Sequence, residues 1–218
     1  MTVEVPPRDC SRCPRLVEFR QANRLSIPAG HNAPVPSFGP LDAELLIVGL
    51  APGLHGANTT GRPFTGDWAG DLLYATLLKF RLAEGHYGES ADDGLVLRNC
   101  RITNAVRCVP PENKPTPAEQ ASCRPFLVSE MNAMPRLRTV LALGAVAHGA
   151  VLAARGVRKS AFPFGHGAEH RLPDGLVVTD SYHCSRYNTN TGRLTVAMFE
   201  AVFAGLCGDA SPHYRVAG

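Results

Sequence analysis

The sequence predicts a three-layer α/β/α sandwich around a central, mainly parallel sheet of four strands. Two observations carry this prediction. Short, nearly continuous apolar runs recur along the chain, as expected for strands that are buried on both faces. Segments with helical periodicity lie between these runs, and this alternation is typical of a parallel sheet covered by helices on both sides.

The four predicted strands are short and rich in valine, isoleucine and leucine, and they cover residues 45–49, 102–106, 139–144 and 176–182. In such folds ligands bind at the carboxyl ends of the strands. Four segments begin at or near these ends, at Gly49, Asn104, Gly144 and His183. We therefore expect the functional site to be assembled from these segments.

Helical periodicity predicts helices over residues 67–80, 116–131, 145–156 and 194–206, and a helical pattern also covers 16–23. The helix at 116 has a marked start, because Thr116 is a plausible N-cap, Pro117 suits the first helical position and Glu119 completes a capping box. The prolines of PPENKP, residues 110–115, predict a stiff loop without regular structure. Residues 158–175 are expected to form a hairpin or a loop.

A length of 218 residues suits a single domain, 1–218, with a flexible C-terminal tail from Gly208 onward. No apolar signal segment follows Met1, and the longest apolar run, residues 140–154, is too short to span a bilayer. We expect a cytoplasmic monomer with no membrane partner. The formal net charge of +3 permits binding to a polyanion without requiring it.

The seven cysteines indicate metal or cluster ligation ahead of disulfides, because their number is odd and no secretory signal accompanies them. Cys10 and Cys13 form a CxxC pair, and Cys108 and Cys123 flank the proline-rich loop. Four thiolates suit both zinc and an iron-sulfur cluster, and buried free cysteines are the alternative to either. Two other cysteines, Cys100 and Cys207, have no second cysteine at a spacing typical of a metal site, and we assign them to core packing.

Three segments, GLAPGLHGANTTGRPFTGD (49–67), RITNAVRCVPPENKPTPAEQASCRPF (101–126) and SYHCSRYNTNTGRLT (181–195), together resemble the iron-sulfur branch of the uracil-DNA glycosylase superfamily. The resemblance is strongest to its B-type, fifth family, and it covers the chain from Cys10 to about Phe203. It implies a uracil-DNA glycosylase-like fold. It also implies that the N-terminal segment helps to bind a [4Fe-4S] cluster through Cys10, Cys13, Cys108 and Cys123.

The activity that this resemblance implies is the hydrolytic removal of uracil, and of other deaminated bases such as hypoxanthine and xanthine, from DNA. The partner is then DNA that contains such a base, and the product is an abasic site. Two hypotheses that assign the protein a different kind of function remain open. One is a non-catalytic iron-sulfur or zinc protein that binds nucleic acid, and the other is an electron-transfer module.

The resemblance assigns roles to individual residues. It implies catalytic roles for Asp67, His183 and Asn104. Residues expected to face the base are Gly49, Leu50, Ala51, Gly53, Phe64 and Asn104. Residues expected to contact DNA are His55, Asn58, Ser185, Arg186, Tyr187 and Asn188, of which the last four form a wedge loop.

The chain departs from many relatives at two places. Leu50 and Ala51 occupy a turn in which relatives carry an acidic or amide side chain, so the attacking water must be activated from elsewhere, and Asp67 is the natural candidate. Cys184 follows the histidine where many relatives have proline. Because proline fixes φ and cysteine does not, this exchange is expected to loosen the wedge loop.

Each assignment has a purely structural alternative. Asp67 precedes a helical segment and is also a good helix N-cap. His183 and Asn104 can be hydrogen-bonded residues at strand ends, and Phe64 can belong to the core. Arg186 and Tyr187 can be ordinary exposed loop residues, although a planar cation and an aromatic ring at a loop tip suit insertion into DNA.

Overall fold

The structure is a computed structural model that describes residues 2–208, so most of the predicted flexible tail lies outside the described residues. Seven helices are present in this range: α1 (Pro14–Ser26), α2 (Ala57–Thr60), α3 (Trp68–Lys79), α4 (Pro117–Ala133), α5 (Ala145–Ala154), α6 (Arg186–Asn190) and α7 (Val196–Cys207). The strands are β1 (Leu45–Gly49), β2 (Ala83–Glu84), β3 (Val96–Leu97), β4 (Cys100–Asn104), β5 (Thr139–Leu143), β6 (Glu169–Arg171) and β7 (Val177–Ser181).

The central sheet has the strand order β4-β1-β5-β7-β6, and its first four strands are parallel. The predicted α/β fold with a mainly parallel sheet is confirmed. The predicted number of four strands is wrong, because β6 pairs antiparallel with β7 as a fifth strand at the edge. This strand, Glu-His-Arg, has no apolar run to reveal it, although it lies in the segment for which a hairpin or loop was predicted.

Three local predictions meet different outcomes. The capping box at the start of α4 is confirmed, since the Thr116 hydroxyl accepts from the Glu119 N–H at 3.2 Å and the Glu119 carboxylate accepts from the Thr116 N–H at 2.8 Å. The strand predicted at 102–106 lies two residues earlier, at Cys100–Asn104. The segment 185–188, predicted as a loop, instead contains the start of α6, which Ser185 caps.

Side chains of alternating residues in β1 face the two sides of the sheet. Leu45 and Ile47 pack with α3 and α7 on one side, whereas Leu46 and Val48 pack with α4 and α5 on the other. All four are fully buried. The apolar run of the sequence therefore reflects a strand with helices on both faces, and the sheet is held rigidly between two cores.

A smaller apolar cluster joins α1 to α4 and to the segment after β4. Leu16, Val106 and Phe126 are its buried members together with Cys123. No helix within residues 2–208 is both long enough and apolar enough to cross a membrane.

Candidate active site

The carboxyl ends of the parallel strands meet at one edge of the sheet, where Gly49 of β1 pairs with Asn104 of β4. A cavity of about 370 Å³ lies at this edge. It is lined by most of the residues that the sequence assigned to the site: Leu50, Ala51, Gly53, Phe64, Asp67, Asn104, His183, Ser185 and Arg186. The fold thus brings together segments that are up to 136 positions apart, as from Leu50 to Arg186.

A larger cavity, of about 540 Å³, opens at the opposite edge of the sheet. It is lined by Thr139 and Val177, where β5 and β7 begin, and by charged side chains such as Arg138. None of the predicted site residues lies there. Since ligands of parallel sheets bind at the carboxyl ends of the strands, we place the site in the smaller cavity.

The Asn104 side chain is only 3 % exposed, and its Oδ1 has no hydrogen-bond partner within the described residues. A buried amide oxygen without a partner costs about 1–3 kcal/mol, so such an atom points to a ligand that supplies the missing donor. Gly49 makes room for this amide, because a Cβ at position 49 would overlap both Asn104 Oδ1 and the Phe64 ring. The Asn104 amide is therefore available to a molecule in the cavity.

Phe64 forms one wall of the cavity and has a left-handed backbone, with φ at 52°. A bulky residue adopts this conformation at a cost of about 1–3 kcal/mol, so its surroundings must hold it in place. Its ring lies near the His183 imidazole, with 6.0 Å between centroids and 29° between planes. Its carbonyl faces Gly70, where any side chain would overlap it.

An ion pair fixes the loop that carries Phe64. The Arg62 guanidinium donates to both oxygens of the Asp93 carboxylate, at 2.7 and 2.6 Å, and its Nε donates to Thr65 Oγ1 at 2.8 Å. Both charged side chains are almost completely buried. Tyr74 and Tyr87 stack on each other beside the guanidinium and hydrogen-bond to the same loop through Pro63 and Gly66.

The sequence left open whether Asp67 is a helix cap or a catalytic residue, and its geometry is compatible with both. Its Oδ1 accepts from the Gly70 N–H at 3.0 Å and caps α3. Its Oδ2 faces the turn of the first segment, since a Cβ on Gly53 would lie 3.0 Å from it. Because the carboxylate has two oxygens, one can cap the helix while the other is directed toward the cavity.

His183 follows β7 and reaches the same cavity. Burial lowers the pKa of His183 below its ordinary value of 6.5, and the carboxylate of Asp67 opposes this shift. The imidazole is therefore neutral near pH 7 and carries one N–H. The backbone carbonyl of His183 accepts from Asn188 Nδ2 at 2.8 Å, which ties the segment to α6.

Cys184 restrains the segment after His183. Its thiol is fully buried and donates to the Ala69 carbonyl at 3.4 Å, which links this segment to the first turn of α3. We predicted a looser wedge loop because proline is absent at position 184. That prediction did not consider the restraint that the Cys184 thiol itself supplies.

The six predicted DNA contacts fall into three groups. Two are half-buried and bonded within the protein, since Ser185 Oγ accepts from the Asn188 N–H and Asn188 Nδ2 donates to the His183 carbonyl. His55, Arg186 and Tyr187 are exposed near or at the edge of the site, as a DNA contact requires. Asn58 is buried, and its Nδ2 donates to Asn32 Oδ1 at 2.9 Å. The assignment of Asn58 to DNA is wrong, since its side chain holds the loop of α2 against the segment before β1.

A family model described as the uracil DNA glycosylase superfamily matches residues 36–207, which include every wall of this cavity. The chain belongs to the uracil-DNA glycosylase superfamily. The resemblance inferred from the three sequence segments is thereby confirmed.

Relatives in this superfamily include a type-5 uracil-DNA glycosylase of Thermus thermophilus. It is 47 % identical over 195 residues, which are 87 % of this chain and 89 % of that protein. A type-5 uracil-DNA glycosylase of Pyrobaculum aerophilum is 41 % identical over 206 residues, covering 93 % of this chain and 89 % of that protein. A type-4 uracil-DNA glycosylase of Thermotoga maritima is 31 % identical over 141 residues, with 64 % and 59 % covered.

Five residues that line this cavity were not among the predicted site residues: Pro52, Ala57, Trp68, Ala69 and Asn113. Asn113 lies in the proline-rich loop and has a left-handed backbone, with φ at 55°. Its neighbour Glu112 is also left-handed, with φ at 54°. No local pattern reveals that this loop reaches the cavity. Trp68 is the single tryptophan of the chain and follows Asp67, and this rarity was the available signal.

The four cysteines that the resemblance assigns to a cluster do converge in the structure. Cys10, Cys13, Cys108 and Cys123 line one small cavity between α1, α4 and the segment after β4. Within the described chain, no three of these sulfurs lie within 4.8 Å of one another. Zinc–sulfur bonds of about 2.3 Å in a tetrahedron place sulfurs about 3.8 Å apart, so no three of these sulfurs have the spacing of zinc ligands in this structure.

Hydrogen-bond donors lie beside two of the four sulfurs in this cysteine cavity. The Arg20 guanidinium donates through Nη1 to Cys108 Sγ at 3.7 Å, and the backbone N–H of Arg107 donates to Cys123 Sγ at 3.4 Å. Burial raises the pKa of the Cys108 thiol to about 12, so this thiol is neutral as long as no metal binds it. The Nε of Arg20 is buried with no partner in the part of the chain that the structure describes. These donors fit an anionic thiolate cluster better than four neutral thiols.

Proposed function

We propose that this protein is a DNA glycosylase that hydrolyses the bond between uracil and deoxyribose and leaves an abasic site. The observation that carries the proposal is the unpartnered Oδ1 of Asn104, which lies in one cavity with Phe64, Asp67 and His183. The names of the relatives support the same activity. A base inside a duplex is out of reach, so the nucleotide must be extruded at a cost of a few kcal/mol.

Asn104 and Phe64 are proposed to bind the extruded base. The amide can accept from the N3–H of uracil and donate to a neighbouring carbonyl oxygen, whereas cytosine presents an acceptor and an amino group at these positions. Stacking on the Phe64 ring contributes about 1–3 kcal/mol and offsets part of the cost of extrusion. The cavity thus offers both edge recognition and a stacking surface.

Asp67 and His183 are proposed to act on the bond that breaks. Cleavage produces a cationic sugar and an anionic base, as in other glycoside cleavage. The free oxygen of Asp67 orients or deprotonates the attacking water, and its charge stabilises the sugar. The neutral imidazole of His183 donates its N–H to the developing anion on the base, and a donor of this kind typically contributes about 100- to 1,000-fold in rate.

We also propose that hypoxanthine and xanthine are substrates. The turn after β1 presents Leu50 and Ala51 to the cavity, and neither side chain has polar groups that select one base. A polar group at this turn would discriminate against bases that leave it unpaired, and an apolar turn does not. The Asn104 amide remains the group that reads the base edge.

Replacing Asn104 with alanine should lower the single-turnover rate of uracil release about 10- to 100-fold, the effect of losing one bidentate contact to a base. The measurement is the release of uracil from a labelled oligonucleotide. Asn132→Ala, at the exposed surface near the opposite edge of the sheet, is the matched control and should retain the wild-type rate. Binding of the oligonucleotide without any release of base would contradict the proposal and favour a non-catalytic DNA-binding protein.

The proposed cofactor is a [4Fe-4S] cluster held by Cys10, Cys13, Cys108 and Cys123. Such a cluster can in general transfer electrons, but we propose a structural role, because it would join the N-terminal segment to the proline-rich loop. Cys108, which precedes this loop, lies only four residues after Asn104. Ala51 packs against the apolar cluster that contains Cys123 and also lines the active-site cavity, so the two sites are adjacent.

The purified protein is expected to be brown, with broad visible absorbance and iron in the sample. Cys108→Ser should lose this absorbance, because the buried sulfur lies in the cysteine cavity. Cys207→Ser is the control, since Cys207 lies in α7 and packs against the core on the other side of the sheet. Metal analysis that finds zinc alone would reject the cluster.

A further inference from the structure

Trp68 is an exposed aromatic residue at the mouth of the active-site cavity, and catalysis as proposed above does not use it. The side chain is 47 % exposed and lines the same cavity as Asp67, its neighbour in sequence. Large aromatic side chains are usually buried by folding, so one left half exposed beside a site marks a contact surface.

The orientation of this indole is fixed across the cavity mouth. Its Nε1 donates to Thr189 Oγ1 at 2.9 Å, which ties the first residue of α3 to α6. Arg186 lies over the ring, with its Cζ 5.8 Å from the centroid. The arginine can occupy at most one of the two ring faces. The indole therefore has a fixed orientation, and at least one face of its ring is not covered by the arginine.

Helix α6 contributes a charged residue, Arg186, and a second exposed aromatic residue beside this indole. Tyr187, the next residue of α6, is 73 % exposed. A planar cation over one exposed aromatic ring, with a second exposed aromatic residue next to it in sequence, suits a strand of nucleic acid. The phosphates of such a strand attract arginine, and its unstacked bases pack on flat rings.

We infer that Trp68 stacks on the nucleobase directly next to the extruded nucleotide, while Arg186 contacts the adjoining phosphate. This inference rests on the proposed function, since it requires a nucleotide to enter the cavity. Extrusion removes a base from the stack and leaves its neighbour with an uncovered face. The indole, positioned at the mouth through which the nucleotide passes, covers that face and stabilises the extruded state.

The test compares the wild type with Trp68→Ala for binding to two DNA probes that the enzyme cannot cleave. The probes are two oligonucleotides with a tetrahydrofuran abasic site, one with normal neighbours and one in which both neighbouring nucleotides also lack bases. Trp68→Ala should weaken binding to the first probe about 5- to 100-fold, as expected for one lost stacked base, and should change binding to the second less than threefold. An equal loss on both probes would overturn the inference.

A matched variant separates stacking from the position of α6. Thr189→Val removes the hydroxyl that accepts from the indole and donates to the Ser185 and Arg186 carbonyls, and it retains the indole. Binding to the first probe should therefore stay within threefold of wild type. A loss equal to that of Trp68→Ala would show that the effect comes from α6 and would also overturn the inference. In the wild type, the fluorescence of the single tryptophan should be quenched by the first probe and not by the second.

The excision rate keeps this inference distinct from the proposed function. Trp68→Ala should raise the concentration of DNA needed for saturation in single-turnover excision, because the lost stacking weakens binding of the DNA. If the wild type binds both probes as described and releases no uracil, the proposed function fails and the stacking surface stands.

Discussion

Asp67→Asn is expected to lower the single-turnover rate of uracil release about 100- to 10,000-fold, the usual contribution of a general base, while the protein stays folded. Asparagine is as good an N-cap as aspartate, so its amide oxygen can accept from the Gly70 N–H as the Asp67 Oδ1 does. The substitution therefore removes the charge and the basic oxygen and keeps the cap. It thereby separates the proposed catalytic role of Asp67 from its role as a helix cap.

A control variant at another helix measures what the loss of an N-cap alone does to stability and to activity. Thr195 caps α7 through a hydrogen bond from the Met198 N–H at 3.1 Å, on a helix that does not line the active-site cavity. Thr195→Ala should lower the free energy of unfolding by about 1 kcal/mol and leave the excision rate unchanged. If Asp67→Asn excises uracil within threefold of wild type, Asp67 is only a helix cap and our assignment of the catalytic base is wrong.

Asp93→Asn is expected to lower the free energy of unfolding by about 3–5 kcal/mol at pH 7, because it leaves the Arg62 guanidinium buried without a counter-charge. The excision rate should fall as well, since Arg62 lies in the loop that holds Phe64 in its left-handed conformation. Denaturant unfolding measures the first effect. Lys79→Gln, which breaks the exposed pair with Glu200, is the control and should cost less than about 1 kcal/mol.

The dependence on pH gives a second check of this ion pair. The hydrogen bond from Arg62 is the main cause that lowers the pKa of Asp93 below its ordinary value of 3.8. A lowered pKa means that the pair stabilises the fold fully above the unfolded value and progressively less as the pH falls below it. The difference between wild type and Asp93→Asn should therefore be constant above about pH 5 and shrink below about pH 4. A difference independent of pH would contradict a charged pair.

Local patterns predicted those parts of the fold that depend on neighbours in sequence. The buried strands follow from apolar runs, and the cap at Thr116 follows from three residue types within four positions. The convergence of Gly49, Asn104 and His183 also followed, because the ends of parallel strands meet at one edge. The roles of these residues came only from the resemblance to a family, since an asparagine at a strand end has no chemical signature of its own.

Interactions between distant residues were not predictable in this way. Arg62 and Asp93 are 31 positions apart, and nothing in the intervening sequence indicates that they pair. Asn58 was expected to contact DNA, yet its side chain is bonded to Asn32, which is 26 positions away and precedes the first strand. Strand β6 was missed because an edge strand exposed to solvent can consist of charged residues.

Both margins of the central sheet are protected from pairing with another sheet. At one margin β6 has only three residues, and its Glu169 and Arg171 are exposed and charged. At the other, Phe38 exchanges backbone hydrogen bonds with Ile102 of β4 and occupies the outer side of that strand. Short, charged or covered margins discourage the strand addition that leads to aggregation. Within residues 2–208 both outer strands of the sheet therefore carry features that oppose the addition of another strand.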